Sequence, residues 1–286
     1  MIALAIIKID DDFDMRKIAD SGQCFRAVEV QPNIFRFITK NTVVYIKQVG
    51  EGKFDVSCSN ADWEKTWVDY FDLNRSYAQI RENMVRMSAN RPYVDYLKEA
   101  FEFGKGIRIL KQDHFETLIS FIISQRKNIP AIRSSVELMC ESFGKLIRTQ
   151  YENVNTFPDV QTLSYTSAYD LASLKLGYRG PYIRDAIDKV NNRTVDLETL
   201  HDLPDGNLLE VLQRIRGVGP KVAACVALYS YRRLNVMPID VWIQRAIDED
   251  FKGNNVFYEF AEYAGILQQY IFFFKRLGEK GYWLVG

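Results

Sequence analysis

Gln213 to Trp242 reads QRIRGVGPKVAACVALYSYRRLNVMPIDVW, and two short patterns inside it decide the fold. Gly217-Val218-Gly219 is a tight turn that follows a helix end. Pro220 comes next, at the first position of a new helix, where its missing N–H is no loss and its fixed φ suits the helix. Lys221 therefore stands in the first turn of an otherwise apolar helix, Val222 to Leu228. The helix dipole and the apolar neighbours both work against an ammonium there, so the amine is set up as a nucleophile. Nineteen residues later Pro238-Ile239-Asp240 precedes another helical run, Val241 to Ile247. Each residue alone has an ordinary reading. A lysine at a helix start is usually solvated, Asp240 is a good N-cap worth about 1 kcal/mol, and the glycines are turn glycines. Their order and spacing carry the argument.

The chain has 286 residues, enough for a substantial core and one or two domains. Its 47% hydrophobic and 26% charged residues are ordinary for a soluble globular protein. No apolar run is long enough to span a membrane. The N-terminus, MIALAIIKIDDDFD, lacks basic flanks and a cleavage site, so it reads as a strand and not a signal peptide. Cys24, Cys58, Cys140 and Cys225 are scattered, which argues against a metal cluster or a disulfide framework and fits a reducing cytoplasm. With 37 basic and 37 acidic residues the chain is formally neutral. A nucleic-acid partner then requires local positive charge. Arg214, Arg216 and Lys221, Arg126-Lys127, and Arg179 with Arg184 are the candidates, although such clusters are most often solvated faces.

Residues 2 to 59 carry strand signals, with Phe35 to Ile38 and Thr42 to Lys47 β-rich and partly alternating. From Asp62 a helix is expected, because Trp63, Trp67, Tyr70 and Phe71 share helical spacing, and such a stripe is core. Gly104-Lys105-Gly106 marks a boundary before a predominantly helical region. Asp113 is an N-cap candidate with Glu116 three residues on, a capping-box pattern for the helix that runs to Gln125. Leu176-Gly177-Tyr178-Arg179 reads as a Gly-terminated helix followed by an amphipathic one. Tyr263 to Phe272 reads as a buried amphipathic helix whose aromatics are mostly core.

The helix, G-V-G turn, helix with an early Lys, and P-x-D resemble the helix-hairpin-helix Gly/Pro/Asp (HhH-GPD) superfamily of DNA glycosylases. Four further stretches, in order, resemble its 8-oxoguanine DNA glycosylase/AP lyase members, the bacterial ones in particular. They are Ser21-Gly22-Gln23-Cys24-Phe25-Arg26, Ser124-Gln125-Arg126-Lys127-Asn128, Leu176-Gly177-Tyr178-Arg179, and Gln268-Gln269-Tyr270-Ile271-Phe272. Two positions depart from the family pattern. Arg216 stands where the hairpin usually has Pro, and Arg126 where the residue beside the orphaned cytosine is usually Asn. The scattered cysteines set aside the iron–sulfur branch of the superfamily.

The resemblance implies an α+β fold, with an N-terminal β-rich domain over 1–106 and a helical catalytic domain over 107–286, its hairpin at 213–228. It implies Lys221 as the nucleophile and Asp240 as its partner. The flipped base would lie among Gly22, Gln268, Phe272 and Cys225, with Phe273 or Phe274 in place of Phe272 if the register differs. Glycine suits that role, since a backbone carbonyl can accept from N7–H of 8-oxoguanine only where no Cβ blocks the approach. Duplex DNA would be held by the backbone of Gly217, Val218 and Gly219. Arg126 and Asn128 would enter the helix, Tyr178 would wedge the stack, and Arg179 would reach the opposite strand. Damaged duplex DNA is the implied partner, with no membrane and no obligate protein partner. No cofactor or metal is required, although the hairpin carbonyls are compatible with a monovalent cation. A cytoplasmic, nucleoid-associated location in a bacterium is expected. Two other readings are a monofunctional alkylpurine glycosylase, against which Lys221 and the S-G-Q motif argue, and a non-catalytic helix-hairpin-helix DNA-binding protein, which leaves Asp240 unexplained.

Overall fold

The computed structural model describes residues 5–278. Its N-terminal part is a five-stranded antiparallel sheet in the order β1-β5-β4-β3-β2. The strands are β1 (Ala5–Lys8), β2 (Val28–Gln31), β3 (Ile34–Thr39), β4 (Thr42–Gly50) and β5 (Lys53–Val56). The β-branched and aromatic runs of β3 and β4 pair across a two-residue turn, with Thr39 opposite Thr42. Phe35, Phe37, Val44, Ile46, Phe54 and Val56 bury one face of the sheet against Trp63, Trp67, Tyr70 and Phe71. The expected aromatic stripe is therefore core. Its helix widens into a π-turn over Trp63–Trp67, and both indoles are buried.

The rest is largely helical around one continuous core. The helices His114–Ser124, Pro220–Tyr229 and Ala264–Phe273 are its centre, each buried over most of its surface. The division between the cores falls earlier than Gly104–Gly106. Tyr77, Ile80, Met84, Leu97 and Phe101, on the helices Tyr77–Ser88 and Val94–Gly104, belong to the helical core, while Leu110 packs with the sheet. The two cores interlock, so a glycine pair in a connecting turn does not mark their edge. The N-terminal part is held to the body by part-buried ion pairs: Arg36 with Glu152 at 3.1 Å, and Arg26 with Glu137 at 3.3 Å.

Asp113 caps the helix His114–Ser124, accepting from the Glu116 N–H at 2.9 Å. The capping box is only half formed. Glu116 is turned instead towards Arg26, 4.0 Å away, and burial pushes its carboxyl up to about 7 despite that cation. Among the described residues, no helix is long and apolar enough to cross a membrane.

Candidate active site

The helix Asp205–Gln213 ends in a turn that requires glycine at Gly217. Its φ is +80°, and a Cβ there would meet the Tyr182 ring at 2.2 Å. Val218 closes the turn, its N–H donating to the Ile215 carbonyl at 3.0 Å, and its side chain is buried. This N–H is therefore engaged within the turn, and the exposed end of the hairpin is Gly219 with the first turn of the helix Pro220–Tyr229. That helix has no side-chain cap, and Gly219 and Pro220 are exposed. Uncapped N–H groups at a positive dipole end are the usual seat for a phosphate.

Lys221 is half-buried one position inside this helix, with Nζ 5.4 Å from the centre of the Phe121 ring. Cys225 lies one turn on, and burial pushes its thiol up to about 11 against the pull of the Lys221 charge. Asp240 is the N-cap of the short helix Val241–Arg245, and its Oδ1 accepts from the Trp242 and Ile243 N–H groups at 2.9 Å each. Burial raises the pKa of Asp240, against the pull of the Ile243 N–H and of the nearby Lys221 charge. The two side chains thus act on each other through the field of a partly dry site, while the carboxylate is oriented by the backbone. A lysine amine and a fixed carboxylate on one wall are the parts of nucleophilic catalysis at a carbon that develops positive charge.

Both residues line one cavity of ≈ 1390 Å³, together with Gly22, Cys225, Gln268 and Phe272. That exceeds the roughly 300–1,000 Å³ of a typical small-molecule site, leaving room for a base with its sugar. Gly22 has φ +80°, and a Cβ on it would stand 3.1 Å from Phe272 Cε1, 3.2 Å from Ile129 Cδ1 and 3.3 Å from Arg276 Nη1. Its neighbours in the motif are structural. Gln23 donates to the Ser21 Oγ and the Arg108 carbonyl, and accepts from the Leu110 N–H at 2.8 Å. Gln268 is 3% exposed, and its Oε1 lies 3.4 Å from the Tyr229 hydroxyl. Phe272 faces the cavity, while Phe273 is fully buried against Phe103 and Phe274 packs on Tyr96.

Arg126, Asn128 and Tyr178 lie at the mouth. Arg126 is exposed in the left-handed region, at φ +52°. Asn128 is also exposed, with Oδ1 capping the helix Ile129–Phe143 through the Ala131 N–H at 2.9 Å. Tyr178 is 48% exposed, packs edge-on to Tyr182, and its hydroxyl donates to the Gln125 carbonyl at 3.4 Å. Arg179 differs from expectation. It is 6% exposed, with Nε and Nη2 donating to the Gln125 carbonyl and Nη1 to that of Leu176. A guanidinium spent on backbone carbonyls braces the 124–128 loop and is not presented to an opposite strand.

The neutral chain concentrates positive charge here. Arg16, Arg126, Lys127, Arg133, Lys221 and Arg276 line the cavity, against the acids Asp20 and Asp240. Sequence reasoning missed Arg276, whose only signal was its position one turn after Phe272. It also missed Phe121 and Tyr229, whose rings stack at 5.5 Å behind Lys221.

Helix, glycine hairpin, helix and the capping aspartate beyond, built around one large cavity, define the class as a helix-hairpin-helix DNA glycosylase fold. The family model of the 8-oxoguanine DNA glycosylase N-terminal domain matches residues 5–118. A solved structure of MBOgg1 in complex with a low affinity DNA ligand is 36% identical at a TM-score of 0.89, covering 97% of this chain and 96% of that one. The Clostridium acetobutylicum 8-oxoguanine glycosylase/lyase, solved with dsDNA containing cytosine opposite to 8-oxoG, is 29% identical at a TM-score of 0.85, covering 96% and 98%. The N-glycosylase/DNA lyase of Saccharomyces cerevisiae is 32% identical over 233 residues, covering 77% of this chain and 58% of that protein. The chain spans less than two thirds of the length of the curated relatives it matches. The chain belongs to the 8-oxoguanine DNA glycosylase family.

Proposed function

We propose that this chain is a bifunctional DNA glycosylase/AP lyase that removes 8-oxoguanine from duplex DNA in base-excision repair. The observation that carries this reading is the convergence of Lys221 and Asp240 on one cavity whose other walls are Gly22, Cys225, Gln268 and Phe272. The duplex is held at Gly217 and Gly219 and kinked, with Tyr178 wedged into the stack and Arg126 and Asn128 entering the space left behind. The flipped base lies between Phe272 and Cys225, with its Watson–Crick edge on Gln268. Its N7–H donates to the Gly22 carbonyl, a bond guanine cannot make.

Lys221 Nζ then attacks C1′ as the base departs, and Asp240 stabilises the positive charge developing there. The sugar ring opens to a Schiff base, whose iminium acidifies the C2′ protons. β-Elimination cuts the strand 3′ to the lesion. This chemistry needs no metal. The same reading puts the protein's work at the chromosome in the cytoplasm, with Gly22 in the sequence module 1–106 and both catalytic residues in 107–286, two modules whose hydrophobic cores interlock across that boundary.

The test is release of free base from two duplexes identical except for 8-oxoguanine or guanine at one position. Release from the first alone supports the reading. Release from neither, or from both at similar rates, overturns it.

A further inference from the structure

Arg276 ends the cavity wall on the side of Gly22, one turn after Phe272. Its guanidinium lies 5.1 Å from the centre of the Phe272 ring. Nη2 donates to the Asp20 carbonyl, while the Asp20 carboxylate faces Arg133 at 3.5 Å. Nη1 is buried and, among the described residues, has no hydrogen-bond partner. An unpaired buried charged donor is costly, and this one lines a cavity, where an acceptor on a bound ligand can pair with it. Burial lowers its pKa to about 10, against the pull of Asp20, so it remains a cation at neutral pH.

This inference rests on the function proposed above. If N7–H of the oxidised base meets the Gly22 carbonyl, the exocyclic O8 on the adjacent carbon lies beside it. Arg276 Nη1 stands 3.3 Å from the position a Gly22 Cβ would take, so it reaches the same edge of the base. We propose that Arg276 is a catalytic residue of the excision step, pairing with O8 as the base leaves.

The electron balance gives the reason. The Lys221 Nζ lone pair forms the bond to C1′, and the C1′–N9 bond breaks with both electrons leaving on the base. That pair is conjugated from N9 through C8 to O8, so the leaving group is an imidate-like anion with charge on O8. A proton from the alkylated Lys221 nitrogen finally passes to the base, and Arg276 keeps its own. A preorganised guanidinium that meets charge only as it develops stabilises the transition state more than the bound substrate.

The experiment compares wild type, R276Q and R276K in two single-turnover assays: release of base from an 8-oxoguanine duplex, and strand cutting at a pre-formed abasic site. The abasic assay needs Lys221, Asp240 and an intact fold, but no leaving base. For R276Q we expect base release to fall on the order of 10²-fold, the scale of removing one oxyanion donor, with abasic-site cutting unchanged. R276K, which keeps a cation, recovers part of the loss. Equal losses in both assays would mean that Arg276 only holds Asp20 and the fold, and unchanged base release would also overturn the proposal. Wild type that cuts the abasic site but releases no 8-oxoguanine overturns the parent reading, and this one with it.

Discussion

Gln269 Nε2 donates to the Ser21 carbonyl at 2.7 Å, so the second glutamine of the C-terminal helix fixes the residue immediately before Gly22. The Tyr229 hydroxyl in turn donates to Gln269 Oε1 at 2.6 Å. The aim of the Gly22 carbonyl is thus set by a buried chain that runs back to the helix of Lys221. Gln269→Leu leaves the Ser21 carbonyl unpaired, at about 1–3 kcal/mol, and the Tyr229 hydroxyl with only its 3.4 Å contact to Gln268 Oε1. We expect a lower midpoint in urea unfolding. The ratio of 8-oxoguanine to guanine excision should fall more than the rate on 8-oxoguanine itself. An unchanged ratio would show that Gly22 is aimed by other contacts.

Gly22→Ala meets two obstacles, a φ of +80° and a ring carbon 3.1 Å from the new Cβ. The backbone cost is about 1–3 kcal/mol. The functional cost should be selective, because the methyl stands where the base edge must approach. Base release from an 8-oxoguanine duplex is expected to collapse while cutting at a pre-formed abasic site survives. Parallel loss of both would place Gly22 in the fold and not in recognition.

Gly217→Ala should act on DNA affinity. Its Cβ would lie 2.2 Å from Tyr182 Cδ2, so either the ring or the hairpin must move. Fluorescence anisotropy is expected to show weaker binding to abasic-site and undamaged duplexes alike, with a shallower salt dependence as phosphate contacts are lost. The double variant Gly217→Ala, Tyr182→Ala should recover part of the affinity. No recovery would mean that the left-handed backbone, and not the ring, sets the hairpin.

Asp240 predicts a divergence between stability and activity. Its folded pKa is raised by burial, so the folded state holds the proton more tightly than the unfolded chain. The associated stability is present below the ordinary carboxylate range and is lost as pH rises through the raised value. Asp240→Asn keeps a capping side chain and removes the buried charge. Thermal melts should therefore show the variant at least as stable as wild type at neutral pH, with its relative advantage shrinking as pH falls. Base release and strand cutting should both be lost. A variant that melts well below wild type at neutral pH would contradict the sign.

That Lys221 and Asp240 face one cavity was legible because local spacing sets it. A glycine turn, a proline at a helix start and an aspartate cap fix Lys221 and Asp240 through backbone rules that act over a few residues. Phe272 was legible from its position one turn after Gln268. Other assignments depended on partners distant in sequence. Arg179 looks like a free cation until its guanidinium meets the Gln125 carbonyl, and Glu116 looks like a box residue until Arg26 arrives from the N-terminal module. The hydrophobic cores do not divide at Gly106, because helices on its N-terminal side pack into the C-terminal core. Arg276 carried no motif. Only the fold brings it to Gly22, from the other end of the chain.

The most direct measurement is borohydride trapping on a duplex carrying 8-oxoguanine opposite cytosine, with wild type and Lys221→Gln compared side by side. A covalent protein–DNA complex with wild type, absent with Lys221→Gln, is the expected result and identifies Lys221 as the Schiff-base nucleophile. A complex that persists in the variant, or free base released by wild type with no complex trapped, would contradict it.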